Sequence, residues 1–144
     1  MSTAIHKMVE ACRGDNNSAL IMRMPSGWAV MGNSQFLRGY SLLLPDPVVP
    51  HLNSMDAWTR DRFLSDMGRL GDAVLRATGA LRINYAMFGN VEPALHAHVI
   101  PRYTDEAEAM RTAHPWAYDW NAAPQFALPE CGVLLGKIRE SLLK

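Results

Sequence analysis

The chain has 144 residues, 49% of them hydrophobic, and its 14 Lys and Arg balance 14 Asp and Glu, so the formal net charge is zero with histidine neutral. That apolar fraction excludes a disordered chain, and the length fits one ordinary domain, so residues 1–144 are read as a single unit. Balanced charge argues against a protein that grips nucleic acid by bulk electrostatics, while leaving room for a small phosphorylated ligand held by local donors.

In chain order, Ile5, Met8, Val9 and Cys12 at helical spacing predict a short amphipathic helix over residues 3–13. A polar cluster, Asp15-Asn16-Asn17-Ser18, breaks it. Ala19 to Met24 and Trp28 to Met31 flank the turn signal Pro25-Ser26-Gly27 and read as a hairpin. After the polar break Gly32 to Gln35, Tyr40 to Leu44 predicts a third strand, stopped by Pro45-Asp46-Pro47. Asp56 to Thr78 is the clearest helix: Phe63, Met67, Leu70, Val74 and Ala77 form one apolar stripe. Ser54 is its expected N-cap and Gly79 its C-terminal cap. Leu81 to Phe88 and Leu95 to Ile100 then read as strands around the turn Gly89-Asn90, and a Trp/Pro-rich loop, His114 to Pro124, leads into a final helix carrying Cys131, Leu135, Ile138 and Leu142. Strands cluster instead of alternating with helices. The expected fold is therefore α+β, a largely antiparallel sheet of about five strands with the long helix packed across it and a C-terminal helix.

No apolar run approaches the roughly 20 residues of a membrane helix. Met1 to Asp15 mixes His6, Lys7, Glu10 and Arg13 into its apolar positions, unlike a signal peptide. Cys12 and Cys131 are isolated and have no C-x-x-C spacing, so they read as reduced, packed thiols. A cytoplasmic protein with no membrane partner is expected.

The segment with chemical content is Asn84 to Tyr103. Alternate side chains of a strand share a face, so His96 and His98 project together while Leu95, Ala97 and Val99 face the core. Two imidazoles on a solvent-facing edge admit three readings: surface residues, a nucleophile with its partner, or a metal site. The metal reading lacks further ligands, because His51, His114 and the cysteines stand at no ligand-like spacing. Trp116 and Trp120 either cover a ligand site or pack the tail on the sheet, and Arg102 reads as a phosphate neutraliser or a surface charge.

Gly89-Asn90-Val91-x-Pro93-x-Leu95-His96-x-His98-Val99-Ile100-x-Arg102 closely resembles the active-site signature of the histidine triad (HIT) superfamily, most of all the bacterial branch related to diadenosine tetraphosphate hydrolases. The resemblance extends to Gly39-Tyr40-Ser41-Leu42-Leu43-Leu44-Pro45, to the long helix that follows, and to Ile83-Asn84. It implies a HIT-like fold and a nucleotide hydrolase or nucleotidyl transferase acting on the α-phosphate of a nucleoside polyphosphate or phosphoramidate. His96 matches the nucleophile, which becomes covalently nucleotidylated, and His98 the last triad histidine, which donates to phosphate oxygens. Asn90 and Asn84 match phosphate-side donors, and Asn33 is the nearest candidate for a ribose contact. The resemblance further implies a homodimer joined around the long helix and the strand after it. No cofactor or protein-bound metal is required, though magnesium would accompany a polyphosphate substrate. Three positions depart from the pattern. Ala94 stands where the first triad histidine is expected, Val91 replaces a hydroxyl donor, and Glu92 adds negative charge. Ala94 still offers a backbone carbonyl to the nucleophile's ring N–H, but no side-chain contact to phosphate. Reduced or altered activity is expected, with a nucleotide-binding module as the alternative.

Overall fold

The computed structural model describes residues 2–144. Helix α1 (Ala4–Arg13) opens on Thr3, whose side chain accepts from the His6 amide while the His6 ring accepts from the Thr3 amide, and it buries Ile5, Val9 and Cys12. Strands β1 (Leu20–Met24), β2 (Gly27–Met31) and β3 (Ser41–Pro45) follow, then the long α2 (Ala57–Thr78), β4 (Arg82–Ala86), β5 (Ala97–Arg102) and α3 (Leu128–Leu142). The five strands form one sheet in the order β1-β2-β3-β5-β4, with every neighbouring pair antiparallel. Because β5 inserts between β3 and β4, those two strands run parallel, and α2 is the crossover that joins them.

Each face of the sheet has its own cover. On one face, Phe63, Leu70 and Val74 of α2 and Leu134, Leu135 and Ile138 of α3 pack against Ala29, Leu43, Ala97 and Val99. On the other, Ile5, Val9 and Cys12 of α1 pack with Val30, Leu42, Leu44 and Ile100, alongside an aromatic group that includes Phe36, Tyr40 and Trp120. The alternation of the strand residues sets this division. Both cysteines are free; Cys12 is buried and Cys131 half-buried.

Two expectations are corrected. The N-cap of α2 is Asp56, whose carboxylate accepts from the Thr59 amide, while Ser54 lies in the preceding 3-10 turn and donates to the His51 carbonyl. An N-cap needs its oxygen within reach of the second or third helical amide, and the helix begins at Ala57, too late for Ser54. At the other end Gly79 adopts a left-handed conformation, φ 68°, and its amide returns to the Leu75 carbonyl. The second correction is that β5 lies inside the sheet, so His96 and His98 do not stand on a solvent-facing sheet edge. His98 is buried in the strand, whereas His96 immediately precedes it and is half-buried.

Candidate active site

The approach to β5 is pinned by its own backbone. The Leu95 amide donates to the Val49 carbonyl at 2.8 Å and the Ala94 amide to the Glu92 carbonyl at 2.7 Å. This places the Ala94 carbonyl 2.8 Å from His96 Nδ1. A carbonyl only accepts, so Nδ1 carries a proton, and in its neutral form the ring presents its lone pair on Nε2. Among the described residues nothing hydrogen-bonds to that Nε2. The Ala94 side chain is fully buried in the α1-side core, so its methyl reaches no ligand.

His98 lies one step along the same face, its ring centroid 4.9 Å from that of His96. Leu42 of β3 and Ala86 of β4 flank it in register. Its Nδ1 is 2.7 Å from the Tyr40 hydroxyl, and the two rings are nearly parallel with centroids 5.8 Å apart. The edge of Trp116 stands over it, at a centroid separation of 5.0 Å. Burial, with a smaller contribution from the neighbouring His96, pulls its pKa down to about 4. His98 is therefore a neutral imidazole near pH 7.

Arg102, two positions after Ile100, holds the roof. It is buried, pairs with Glu106 at 2.9 Å, and donates to the carbonyls of Met110 and Ala113 and to Asn84 Oδ1. Burial alone would push the Glu106 carboxyl up, but hydrogen bonds from Arg102, Tyr118 and the Tyr103 amide outweigh it and hold the carboxyl below its ordinary range. Arg102 is thus neither a surface charge nor a free phosphate ligand. It fastens the loop that carries Trp116 onto the sheet. Trp120 belongs to the packing: it stacks on Phe36 at 3.9 Å and donates to the Pro115 carbonyl. Trp116 contacts His98 and Phe88 edge to face while remaining half-exposed.

A cleft of about 1120 Å³ runs along β4 and the loop after β5, bordered by Asn84, Ala86, Phe88, Arg111, His114 and Trp116; neither His96 nor His98 lines it, and it meets His98 only through Ala86 and Trp116. Arg111 and Arg82 border it with no carboxylate partner among the described residues.

The structure brings His96, His98 and Asn84 onto one face, because Asn84 pairs with Ile100 and shares its side of the sheet. Asn84 has its carbonyl oxygen committed to Arg102, which leaves the NH2 group as its free donor. Asn90 is exposed in the turn before His96. Asn33 is exposed beyond the end of β2, where its backbone carbonyl accepts from Phe126. Neither Asn33 nor Asn90 hydrogen-bonds to the His96 or His98 ring, whose partners are the Ala94 carbonyl and the Tyr40 hydroxyl. Tyr40 was not among the candidate residues. Its sequence signals are a phenol opening the strand Tyr40 to Leu44 and its place in the Gly39 to Pro45 segment, and neither points to His98. Among the described residues no three His, Cys, Asp or Glu side chains gather to hold a metal ion, and no helix is long and apolar enough to cross a membrane.

The sheet order, the crossing helix and the placement of the imidazoles define the HIT-like α+β fold. The sequence matches no protein-family model and no curated protein. Among solved structures, a histidine triad protein from Marinobacter aquaeolei VT8 superposes with TM-score 0.77 at 16% identity, covering 99% of this chain and 98% of its own. A histidine triad protein from Bradyrhizobium japonicum gives 0.75 at 21% identity, covering 90% and 94%. A Hit-like protein involved in cell-cycle regulation from Bartonella henselae, determined with an unknown ligand, gives 0.73 at 18% identity, covering 97% and 96%. At these identities the likeness establishes the fold.

Proposed function

We propose that the chain is a histidine triad protein of the diadenosine tetraphosphate hydrolase-like branch. In this reading it hydrolyses or transfers the nucleotidyl group of a nucleoside polyphosphate or phosphoramidate. The observation that carries the reading is the His96 ring, which donates from Nδ1 to the Ala94 carbonyl at 2.8 Å and leaves Nε2 unpartnered beside a neutral His98. A tautomer held in this way is what a nitrogen nucleophile requires.

In the first step His96 Nε2 forms a bond to the α-phosphorus and the bond from phosphorus to the leaving group breaks. The leaving group departs with the electron pair and takes a proton from solvent water, while the neutral His98 donates a hydrogen bond without losing its own proton. Water then attacks the phosphoramidate and gives up a proton to solvent, the P–N bond breaks with its electron pair going to Nε2, and the nucleoside monophosphate is released with His96 restored. His98 and the Asn84 and Asn90 amides donate to phosphate oxygens, and Asn33 supplies the ribose contact once ligand is bound. Magnesium, where used, arrives with a polyphosphate substrate. A second copy adds its sheet to the outer edge of β4, next to the exposed Leu81 and Tyr85, to form the homodimer.

The test is AMP release from diadenosine tetraphosphate and from a fluorogenic adenosine phosphoramidate. His96→Ala is expected to lower turnover by at least about a thousandfold while AMP affinity stays within a few-fold. Unchanged turnover in that variant removes the covalent mechanism.

The alternative, a nucleotide-binding module with little catalysis, is favoured by the sealed Ala94 methyl, by Val91, a fully exposed aliphatic side chain in place of a hydroxyl donor, and by the nearby Glu92 charge. Binding of AMP with no release from either substrate over hours would select it.

A further inference from the structure

Tyr40 is held more tightly than a packing residue needs. Its backbone carbonyl accepts from the Gly32 amide at 2.9 Å and from Gln35 Nε2 at 3.0 Å. The buried Gln35 also donates to the Gly32 carbonyl at 2.7 Å and accepts from the Gly39 amide at 2.9 Å, which ties the loop after β2 to the start of β3. The phenol ring lies directly on Gly32, where a Cβ would stand 2.2 Å from its carbons. Phe36 and Trp120 meet it edge-on at 5.3 Å and 5.1 Å. Backbone, seat and walls together leave the hydroxyl one place to point, His98 Nδ1 at 2.7 Å.

The direction of that hydrogen bond follows from accounting for one proton. Burial pushes the phenol pKa up, so the hydroxyl keeps its proton. Among the described residues His98 is its sole hydrogen-bond partner. If Nδ1 were protonated and donated to the phenol, the phenol's own proton would be buried with no acceptor, a penalty of about 1 to 3 kcal/mol. The hydroxyl must therefore donate, and a neutral imidazole that accepts on Nδ1 carries its proton on Nε2.

We propose that Tyr40 is a positioning residue whose hydroxyl donates to His98 Nδ1, so fixing the His98 proton on Nε2, the nitrogen left free for the phosphoryl group under attack. The two histidines then hold opposite tautomers, each set by a neighbour. The Ala94 carbonyl makes His96 a bare nitrogen, and the Tyr40 hydroxyl makes His98 an N–H donor. The kinetic consequence rests on the nucleotidyl-transfer reading, but the tautomer does not.

Long-range nitrogen–proton correlation spectra of the histidine rings at pH 7 test the assignment. The unaltered protein is expected to show His98 with a bare Nδ1 and a protonated Nε2. In Tyr40→Phe that preference is expected to weaken or reverse, with the thermal transition still cooperative. Turnover of the phosphoramidate should fall about tenfold in kcat, with KM changed less than about twofold. A protonated Nδ1 in the unaltered protein overturns the proposal without need of any variant. An unchanged His98 tautomer in Tyr40→Phe overturns it as well, and a shifted tautomer with undiminished kcat overturns the positioning role. A protein that turns over neither substrate would defeat the enzymatic reading alone, and the spectra would still decide the tautomer.

Discussion

The two faces of β5 are built to opposite rules. Ala97 and Val99 point into a layer of aliphatic and aromatic side chains from α2 and α3 and are fully buried. His98, Ile100 and Arg102 point the other way, under a roof of aromatic rings and an ion pair carried by a loop. The first face needs only volume and apolarity, and many sequences satisfy it. The second needs a partner for each polar atom, which only particular side chains supply. Both faces bury an apolar cluster, but only the α1 side also buries a titratable imidazole whose pKa is perturbed.

That contrast is open to direct tests. The largest expected effect comes from emptying the helical face. Phe63→Ala removes a fully buried ring of α2 and should lower stability by about 3 to 5 kcal/mol, read from denaturant unfolding. The His98 tautomer should survive it, and a changed ring spectrum in the folded variant would show that the faces are coupled.

Acid should act on the opposite face. An unfolded imidazole binds its proton near pH 6.5, and folded His98 binds it at about 4. Between these values the unfolded state takes up more protons, so stability falls as pH falls through the window, by up to about 3 kcal/mol from this residue. Above pH 6.5 and below 4 this residue adds no slope. His98→Phe should flatten the dependence over the window, and equal slopes in the two proteins would contradict the burial of a neutral His98.

The smallest effect belongs to Trp116→Ala. The ring is half-exposed, so its edge contacts with His98 and Phe88 are worth about 1 kcal/mol. Its removal admits water to His98, and an NMR titration should show the imidazole pKa rising from about 4 toward 6.5. An unmoved pKa would mean that the strand and Tyr40, not the roof, keep the ring dry.

Much of the architecture was legible because it rests on periodicity. The stripe from Phe63 to Val74 marked α2, and the two-residue alternation put His96 and His98 on the face opposite Ala97 and Val99. Local rules served less well where two polar residues competed. Ser54 and Asp56 both satisfy the composition of an N-cap, and only the start of the helix at Ala57 chose Asp56. Arg102 read as a phosphate neutraliser or a surface charge and is neither, because its partners, Asn84, Glu106, Met110 and Ala113, converge from another strand and a loop. Tyr40 is separated from His98 by 58 positions, and no local pattern links them.

The amino-acid order alone determined which segments become helix or strand, which sides of them are apolar, and that two imidazoles share a face, because these follow from bond geometry over a few residues. Tertiary structure alone decided that β5 lies inside the sheet and that the imidazoles differ. One ring is half-open with its proton held toward a backbone carbonyl, the other buried against a phenol. A ring nitrogen's proton is governed by whatever stands within 3 Å of it, and at His98 that neighbour comes from a different strand region.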